Sequence, residues 1–406
     1  MSNKHILHVL KKLIKKYPNS QKCHSVLITH VLPTAESYIH LVHEVFPVTL
    51  VIAIPYSADL LTIKALREKG IPVYLPEGID EAFLYSGKKI QEILEKDETP
   101  LLVQEVGGYL AGCCDNLSKF PHFLGIVEDT NNGHWRYQMA GVHSTPVLSM
   151  AQSPIKDIED TVIGDSVVYS TERIFREEFN GILQGISCGV IGYGKIGTST
   201  SIALKGRGST VMVYDIDPAR CIRARLEGHR IGPLKTILST SDLIVGCTGK
   251  TSVRKEDIPY IRDNAVLVSA SAKNEEFDLV AFANECTCEK INAVVWRYTQ
   301  KNGHCFYLLH QGTPVNFRDR SILGYILDMI YAELFLCMHL IAQGKIESGL
   351  HHSPLSIHTE VAQTWLDVYE PSFACTQEDK IWTYPDSLHT AVTRTFLLQT
   401  TQELVC

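Results

Sequence analysis

The 406-residue chain has no cysteine pattern that would close a metal site or a disulfide framework. Its 12 cysteines are scattered, and the two close pairs, Cys113-Cys114 and Cys286-Thr287-Cys288, lack a second pair or a His pair at ligand spacing. The expectation is a protein without a bound metal, its thiols reduced, in the cytoplasm. A secretory leader is missing from the opening MSNKHILHVLKKLIKK, because lysines interrupt every apolar run. No long apolar stretch is free of charge: Ile322 to Ile341 carries Asp328 and Glu333, which predicts a core helix and no membrane contact. Positive charge is not in excess either. Lys and Arg total 38 against 45 Asp and Glu, a net charge of −7, which argues against a nucleic acid partner. What remains, 45% hydrophobic and 20% charged residues, suits a globular chain of two or three domains.

At the amino end, Ile6, Leu7, Leu10, Leu13 and Ile14 share one helical stripe with lysines opposite, which reads as a packed helix with a solvated face. From His24 the pattern changes. Short apolar runs, HSVLITH (24–30), VTLVIAIP (48–55), IPVYLP, LLVQEVGGYLAG and FLGIVEDT, alternate with helical stretches. Continuous apolar strands separated by helices imply a parallel sheet covered on both faces. Asn131-Asn132-Gly133 then reads as a break, and SPIKDIEDTVIGD (153–165) as a linker before a helix around Thr171 to Leu183. A second strand series follows in SCGVIGYGKIGTSTSIALKGRGSTVMVYDIDP, DLIVGCTG (242–249), AVLVSAS (265–271) and AVVWRY (293–298). The expected class is α/β, two Rossmann-like domains with doubly wound parallel sheets over residues 1–180 and 181–320. Residues 321–406 are expected to be helical and to return to the first domain.

Gly192-Tyr193-Gly194-Lys195-Ile196-Gly197 fits the GxGxxG spacing in the required context. The apolar run Gly189-Val190-Ile191 precedes it, a helical segment follows, and the next strand ends in Asp215 at close to the expected twenty-residue distance. Gly192 permits the tight turn, Gly194 lets a diphosphate approach the backbone, and Gly197 lets the helix pack close to the strand. Free helix N-terminal N–H groups would attract the diphosphate. Asp215 can accept hydrogen bonds from an adenosine ribose and repels a 2′-phosphate, which favours NAD over NADP, although Arg220 lies near enough to complicate that choice. The alternative is a glycine-rich turn in an α/β fold that binds no cofactor.

With these motifs, Tyr214-Asp215-Ile216-Asp217-Pro218 and Cys247-Thr248-Gly249 in hand, the chain resembles the S-adenosylhomocysteine hydrolase family. GIPVY (70–74), Glu128 through Gly133, Lys156 followed by Asp160, and Tyr298 through Asn316 fall in the family's order, and the likeness covers about residues 25–335. The resemblance implies a tightly held NAD that oxidises the ribose 3′ carbon of a nucleoside substrate. The 5′ group is then eliminated, water adds, and the same NAD reduces the carbon again. It further implies that Lys156 assists the 3′ oxidation, Asp160 and Asp129 grip the ribose, and His30 moves the 5′ proton. Thr130, Asn131, Asn132, Thr248 and Asn316 would join Gly192, Gly194, Lys195, Ile196, Gly197 and Asp215 around NAD. A homo-oligomer is implied as well.

Several positions depart from the family. In QEVGGYL (104–110) Glu105 keeps one carboxylate of a pair and Val106 removes the other, while Thr161 replaces an asparagine. Asp165 replaces a cysteine and would put charge near the nicotinamide. After Asn316 the chain reads Phe317-Arg318-Asp319-Arg320 in place of a glycine-rich turn with a gating His, and surface positions are expected for Arg318 and Arg320. The tail SLHTAVTRTFLLQTTQELVC lacks the Lys and Tyr that complete a neighbouring subunit's cofactor site in the family. The residues admit three functions: a hydrolase of this type, an impaired NAD-binding regulatory homologue, and, third, a 2-hydroxyacid-type dehydrogenase. The last finds Glu275 and Glu276 in SASAKNEEFD (269–278) but no convincing histidine.

Overall fold

The computed structural model describes residues 7–18, 22–142, 144–271 and 275–373, so Ile6 and the SLHTAVTRTFLLQTTQELVC tail lie outside the described residues. The first sheet takes β1 (His24–Thr29), β2 (Val48–Ala53), β3 (Val73–Tyr74), β4 (Leu101–Glu105), β5 (Phe123–Glu128) and β6 (Pro146–Ser149). The second takes β7 (Ser187–Ile191), β8 (Thr210–Tyr214), β9 (Arg230–Ile231), β10 (Leu243–Gly246), β11 (Ala265–Ser269), β12 (Cys286–Lys290), β13 (Val295–Gln300) and β14 (Cys305–Leu309). A last strand, β15 (Gly349–His352), returns to the first sheet beside β6. The strand orders are β15-β6-β5-β4-β1-β2-β3 and β12-β13-β14-β11-β10-β7-β8-β9. All neighbours in the first sheet are parallel. In the second sheet only β12, β13 and β14 pair antiparallel.

Strand order reverses between β1 and β4 in the first sheet and between β7 and β10 in the second. At such a switch point the two flanking connections leave in opposite directions and open a crevice at the carboxyl ends of the strands. The residues of interest sit at those ends: His30 after β1, Val106 after β4, Asp129 after β5, Gly192 after β7 and Thr248 after β10. The strands between them are apolar because both faces are covered, and β4 is buried at every position.

Five helices position the site: α1 (His8–Lys16), α2 (Asn131–Ala140), α3 (Pro154–Glu178), α4 (Lys195–Gly206) and α5 (Ile326–Ala342). The first buries Val9, Leu10 and Leu13, and the N–H groups of Val9 and Leu10 donate to Asp328 at 2.8 and 3.0 Å. Asp328 and Glu333, the two charges in the apolar run, are thus buried within α5 with assigned partners; Glu333 accepts from Ser153 at 2.8 Å and Ser353 at 2.6 Å. Among the described residues no helix is long and apolar enough to cross a membrane. Residues up to Ala362 form one compact unit that carries both sheets.

Two local expectations are corrected. Asn131-Asn132-Gly133 does not break the chain but starts α2, because Thr130 caps the helix by accepting from the Gly133 N–H at 3.1 Å. The 153–165 stretch is not a linker. It is the first half of the 25-residue α3, opened by Ser153, which accepts from the Lys156 N–H at 3.0 Å, and by Pro154 in the first turn. The helix then lies hard against α4: a side chain at Gly164 would collide with Ser199, whose hydroxyl donates to the Asp160 carbonyl at 2.9 Å. This crossing fixes the start of α3 relative to the glycine turn from which α4 begins.

Candidate active site

Because 154–178 is helical, Lys156, Glu159 and Asp160 fall on one face of α3. All three are buried, as is Asp129. The Lys156 ammonium lies 3.1 Å from Asp129 and in direct contact with Glu159. Burial alone would depress the lysine, but Asp129, Glu159 and Asp160 together hold it well above the usual lysine range. Burial pushes Glu159 up to about 7 against the opposing pull of Lys156, and it raises Asp160 too. Lys195, within the glycine turn, reaches the same helix. Its ammonium contacts Asp157 and lies 3.8 Å from Asp160. The amine and acids from the first half of the chain and the glycine turn from the second therefore meet in one place.

The acids at the end of the first sheet are held differently. Glu128 is fully buried and accepts from the N–H groups of Gly107 at 3.0 Å, Gly108 at 2.9 Å and Thr130 at 2.7 Å, and from the Thr130 hydroxyl at 2.7 Å. The approach needs glycine. Gly107 and Gly108 have φ of +115° and +69°, and a side chain on Gly133 would collide with the Glu128 carboxyl. Burial takes Glu128 up to about 7 despite these donors. Glu105, opposite it in register, accepts from Tyr137 and from the Leu110 N–H at 3.2 Å; burial and then the nearby Glu128 push it well above the carboxylate range. Glu105 is therefore an internal acid, and Val106 beside it is buried among apolar side chains.

His30 is half-buried, its Nδ1 2.6 Å from the Ser57 hydroxyl oxygen. That hydroxyl also lies 3.2 Å from the Ile54 carbonyl, to which it can donate, and the imidazole can then hold its proton on Nδ1 and present a lone pair on Nε2. The ring leans on Phe317 at 4.6 Å and Tyr56 at 5.9 Å. Burial, and after it the Lys156 charge, push the imidazole down to about 3, so it is neutral at any ordinary pH.

The glycine turn has the shape a diphosphate requires. Gly192 has φ of +95°, and a side chain there would come within 2.9 Å of the Cys247 carbonyl; one on Gly197 would strike the Gly192 carbonyl. At Gly194 the space is open, the nearest atom to an added carbon being Arg220 Nη1 at 3.7 Å. Ile196 packs into the core below. Asp215 directly follows β8 as a buried carboxylate that accepts from the Tyr193 N–H at 2.6 Å and the Asp217 N–H at 2.8 Å, with Arg220 at 3.6 Å. Asn316 is buried, its amide donates to Ser321 at 3.0 Å, and its amide oxygen has no hydrogen-bond partner among the described residues. The open cradle, the acid at the strand end and the orphaned amide oxygen fit a dinucleotide.

Thr248 is less free than its position suggests. Glu276 takes its N–H at 2.6 Å and its hydroxyl at 2.9 Å, together with the Gly249 N–H at 2.7 Å and the Ser271 hydroxyl at 2.6 Å. The neighbouring Glu275 joins the second sheet's connection to α2 of the first. Arg136 contacts it, and Asn132 donates to it at 2.9 Å. Asn132 is thus a cross-connection in this structure, Thr130 binds Glu128, and Asn131 opens α2 half-buried.

Three further positions are settled by their partners. Asp165 does not lie by the glycine turn's ligand side; it is largely exposed and pairs with Arg207 at 3.0 Å. Arg318 pairs with Glu177 at 2.7 Å, and Arg320 takes a left-handed φ of +64° that ends the turn after Asn316. Glu159 and Arg136 were not singled out from the sequence, and Glu128, Glu275 and Glu276 were named there without the partners the structure gives them. Glu159 left a trace only as an acid three residues from Lys156, which has meaning only on a helix.

Residues 166–321 match the family model described as S-adenosyl-L-homocysteine hydrolase, NAD binding domain. Over about three quarters of its length the chain is also similar to curated adenosylhomocysteinases. NAD is accordingly the cofactor of its glycine turn. The adenosylhomocysteinase of Thermotoga maritima is 29% identical over 326 residues, spanning 77% of this chain and 78% of that protein. That of Saccharolobus solfataricus is 27% identical over 319 residues, 76% and 75% of the two chains. Among solved structures, the D-lactate dehydrogenase of Escherichia coli covers 79% of this chain and 97% of its own at 14% identity and a TM-score of 0.42, a likeness that adds nothing to the topology already described.

Proposed function

We propose that this chain is a working hydrolase of the adenosylhomocysteinase type, acting on S-adenosylhomocysteine or a nucleoside with a different 5′ group. One observation carries the reading: a buried ammonium, Lys156, ringed by Asp129, Glu159 and Asp160, with Lys195 of the cofactor turn 3.8 Å from Asp160. When bound, NAD supplies the two-electron acceptor for the ribose 3′ carbon and returns those electrons at the end. Asp129 and Asp160 accept hydrogen bonds from the ribose hydroxyls, and Lys156 holds the 3′ oxygen as its carbonyl character grows. Oxidation at C3′ acidifies the neighbouring 4′ C–H, which allows the 5′ group to leave. Neutral His30, with a free Nε2, then accepts a proton from the water that adds at C5′. On this reading residues 1–180 hold substrate and 181–320 hold NAD, in a cytoplasmic homo-oligomer.

The test is optical. Purified protein mixed with adenosine is expected to show reduced nicotinamide absorbance at about 340 nm, and mass spectrometry is expected to find NAD released on denaturation. Bound NAD without any absorbance change across adenosine and 5′-substituted analogues sinks the enzymatic reading. The buried Val106, which leaves no polar group at its position, favours a second reading as a regulatory NAD-binding homologue. That reading fails if Lys156→Ala removes a turnover measured in the unaltered protein.

A further inference from the structure

Three carboxylates surround the Lys156 ammonium in a site from which water is largely excluded. Asp129 approaches from the end of β5 at 3.1 Å, and Glu159 and Asp160 from the next turn of α3. Asp160 shares a second cation, Lys195, at 3.8 Å. Among the described residues Glu159 shares none: its side chain is 8% exposed and Lys156 is its ion-pair partner. The other ionisable group facing it is the buried Tyr331 of α5, which is stacked on Tyr38 at 4.2 Å. One ammonium cannot neutralise three dehydrated carboxylates, so the cluster holds an extra proton over part of the neutral range. The first sheet, meanwhile, offers no substitute: Glu105 faces Tyr137 and a backbone N–H, and Val106 has nothing to titrate.

We propose that Glu159 is a proton-relay residue for the 3′ oxidation, acting through Lys156, and that it supplies in this chain the proton capacity missing at Val106. The inference rests on the hydrolase reading above. Lys156 N–H breaks as Glu159 O–H forms, and the substrate's 3′ O–H breaks as a new Lys156 N–H forms. The electron pair left on the 3′ oxygen completes the carbonyl while the C3′ hydrogen departs with its own pair to NAD. Lys156 thus ends the step as the ammonium it began, and the proton rests on Glu159 until the reverse transfer. The geometry suits this role because Glu159 touches the same nitrogen that Asp129 also holds.

The relay requires Glu159 ionised at the start, and burial places its titration at about 7. The single-turnover rate of cofactor reduction by adenosine should therefore rise with pH through a limb near 7. Glu159→Gln is expected to lose that limb and to slow reduction by roughly 10²-fold, the lower end of general acid–base effects. KM for adenosine and NAD content should stay within about threefold, because the ribose-gripping acids remain. Glu159→Asp, which draws the carboxyl back by one methylene, should recover part of the rate and shift the limb. A purely structural Glu159 would instead lower NAD content and melting temperature and leave the pH profile unmoved. Infrared difference titration without substrate gives a second readout: carboxylic-acid carbonyl intensity should vanish between pH 6 and 8 in the parent, and Glu159→Gln should lose the share of it that Glu128, also raised to about 7, does not supply. A parent that reduces NAD while Glu159→Gln keeps both limb and rate overturns the relay alone. If Glu159→Gln does not fold, an unshifted limb in Glu159→Asp overturns it equally. A parent that never reduces NAD overturns the hydrolase reading and the relay with it, even if the infrared band is present.

Discussion

Glu128 and Glu159 are both buried carboxyls raised to about 7, yet they are held by opposite means. Glu128 is gripped by fixed donors, three backbone N–H groups and one hydroxyl, in a glycine-lined slot. Glu159 is gripped by an ammonium on a flexible four-carbon arm. Backbone donors cannot give their protons away, so the first arrangement is scaffold. A lysine can exchange protons and move, so the second is equipped for chemistry. Similar titration ranges thus hide different roles, and the partner distinguishes them.

The sharpest way to break this contrast is to remove the ammonium. Lys156→Ala should slow cofactor reduction by about 10² to 10⁴-fold. It leaves three buried carboxylates without their shared cation, which should cost about 3–5 kcal/mol at pH 8. At pH 5 the cost should shrink, because burial already favours the protonated acids there. Denaturant melts at the two pH values check the sign, and an equal loss at both would mean the cluster is not charged as drawn.

The scaffold side yields to an added methyl. Gly133→Ala drives a side chain into the Glu128 carboxyl and should destabilise by about 3 kcal/mol. Gly194→Ala meets nothing closer than 3.7 Å and should leave the melting temperature of the NAD-free protein nearly unchanged while weakening NAD binding severalfold. If Gly194→Ala bound NAD as tightly as the parent, the diphosphate would not pass over that glycine.

A smaller effect separates the two acids by pH. The unfolded Glu128 carboxyl titrates near 4.5 and the folded one at about 7, so between those values the native state holds a proton the unfolded state has lost. Stability from this group is full below 4.5, falls with rising pH across the window, and levels off above 7. Glu128→Gln should remove a slope of about 1.4 kcal/mol per pH unit from the parent's melting curve between pH 5 and 7. His30, pushed down to about 3, acts in the opposite direction and is common to both proteins, so only the difference between them is informative.

How much of this was legible in the sequence depends on whether a residue's task is local. The glycine turn was, because each glycine has a steric duty set by its immediate neighbours: a positive φ at Gly192, a close carbonyl at Gly197. Lys156 and Asp160 were visible only through family resemblance, since Pro154 and the acids after it read as a linker. Once the stretch is known to be α3, their meaning changes. At about 100° per residue Asp160 falls near Lys156 on one face, whereas Asp165, five residues further, turns away to meet Arg207. Misreading helix as loop therefore concealed Glu159, and placing Asp165 by the family's cysteine missed that the helix turns it outward. Glu276 and the Arg136–Glu275 pair depend on contacts between distant segments, which no local pattern carries.

The smallest expected effect concerns which dinucleotide the glycine turn prefers. Asp215 is buried and should repel a 2′-phosphate, but the half-exposed Arg220 stands 3.6 Å away and partly cancels that charge. The same guanidinium lies 3.7 Å from where a side chain on Gly194 would begin, above the turn that receives the diphosphate. Arg220→Ala should therefore weaken NAD by less than about 1 kcal/mol, the worth of an exposed charge, and weaken NADP more, since a 2′-phosphate would then meet Asp215 without the cation that offsets it. Calorimetric titration of both dinucleotides should show the preference for NAD widening. A variant that gained affinity for NADP would mean that Arg220 points away from the adenosine ribose and that Asp215 alone sets the choice.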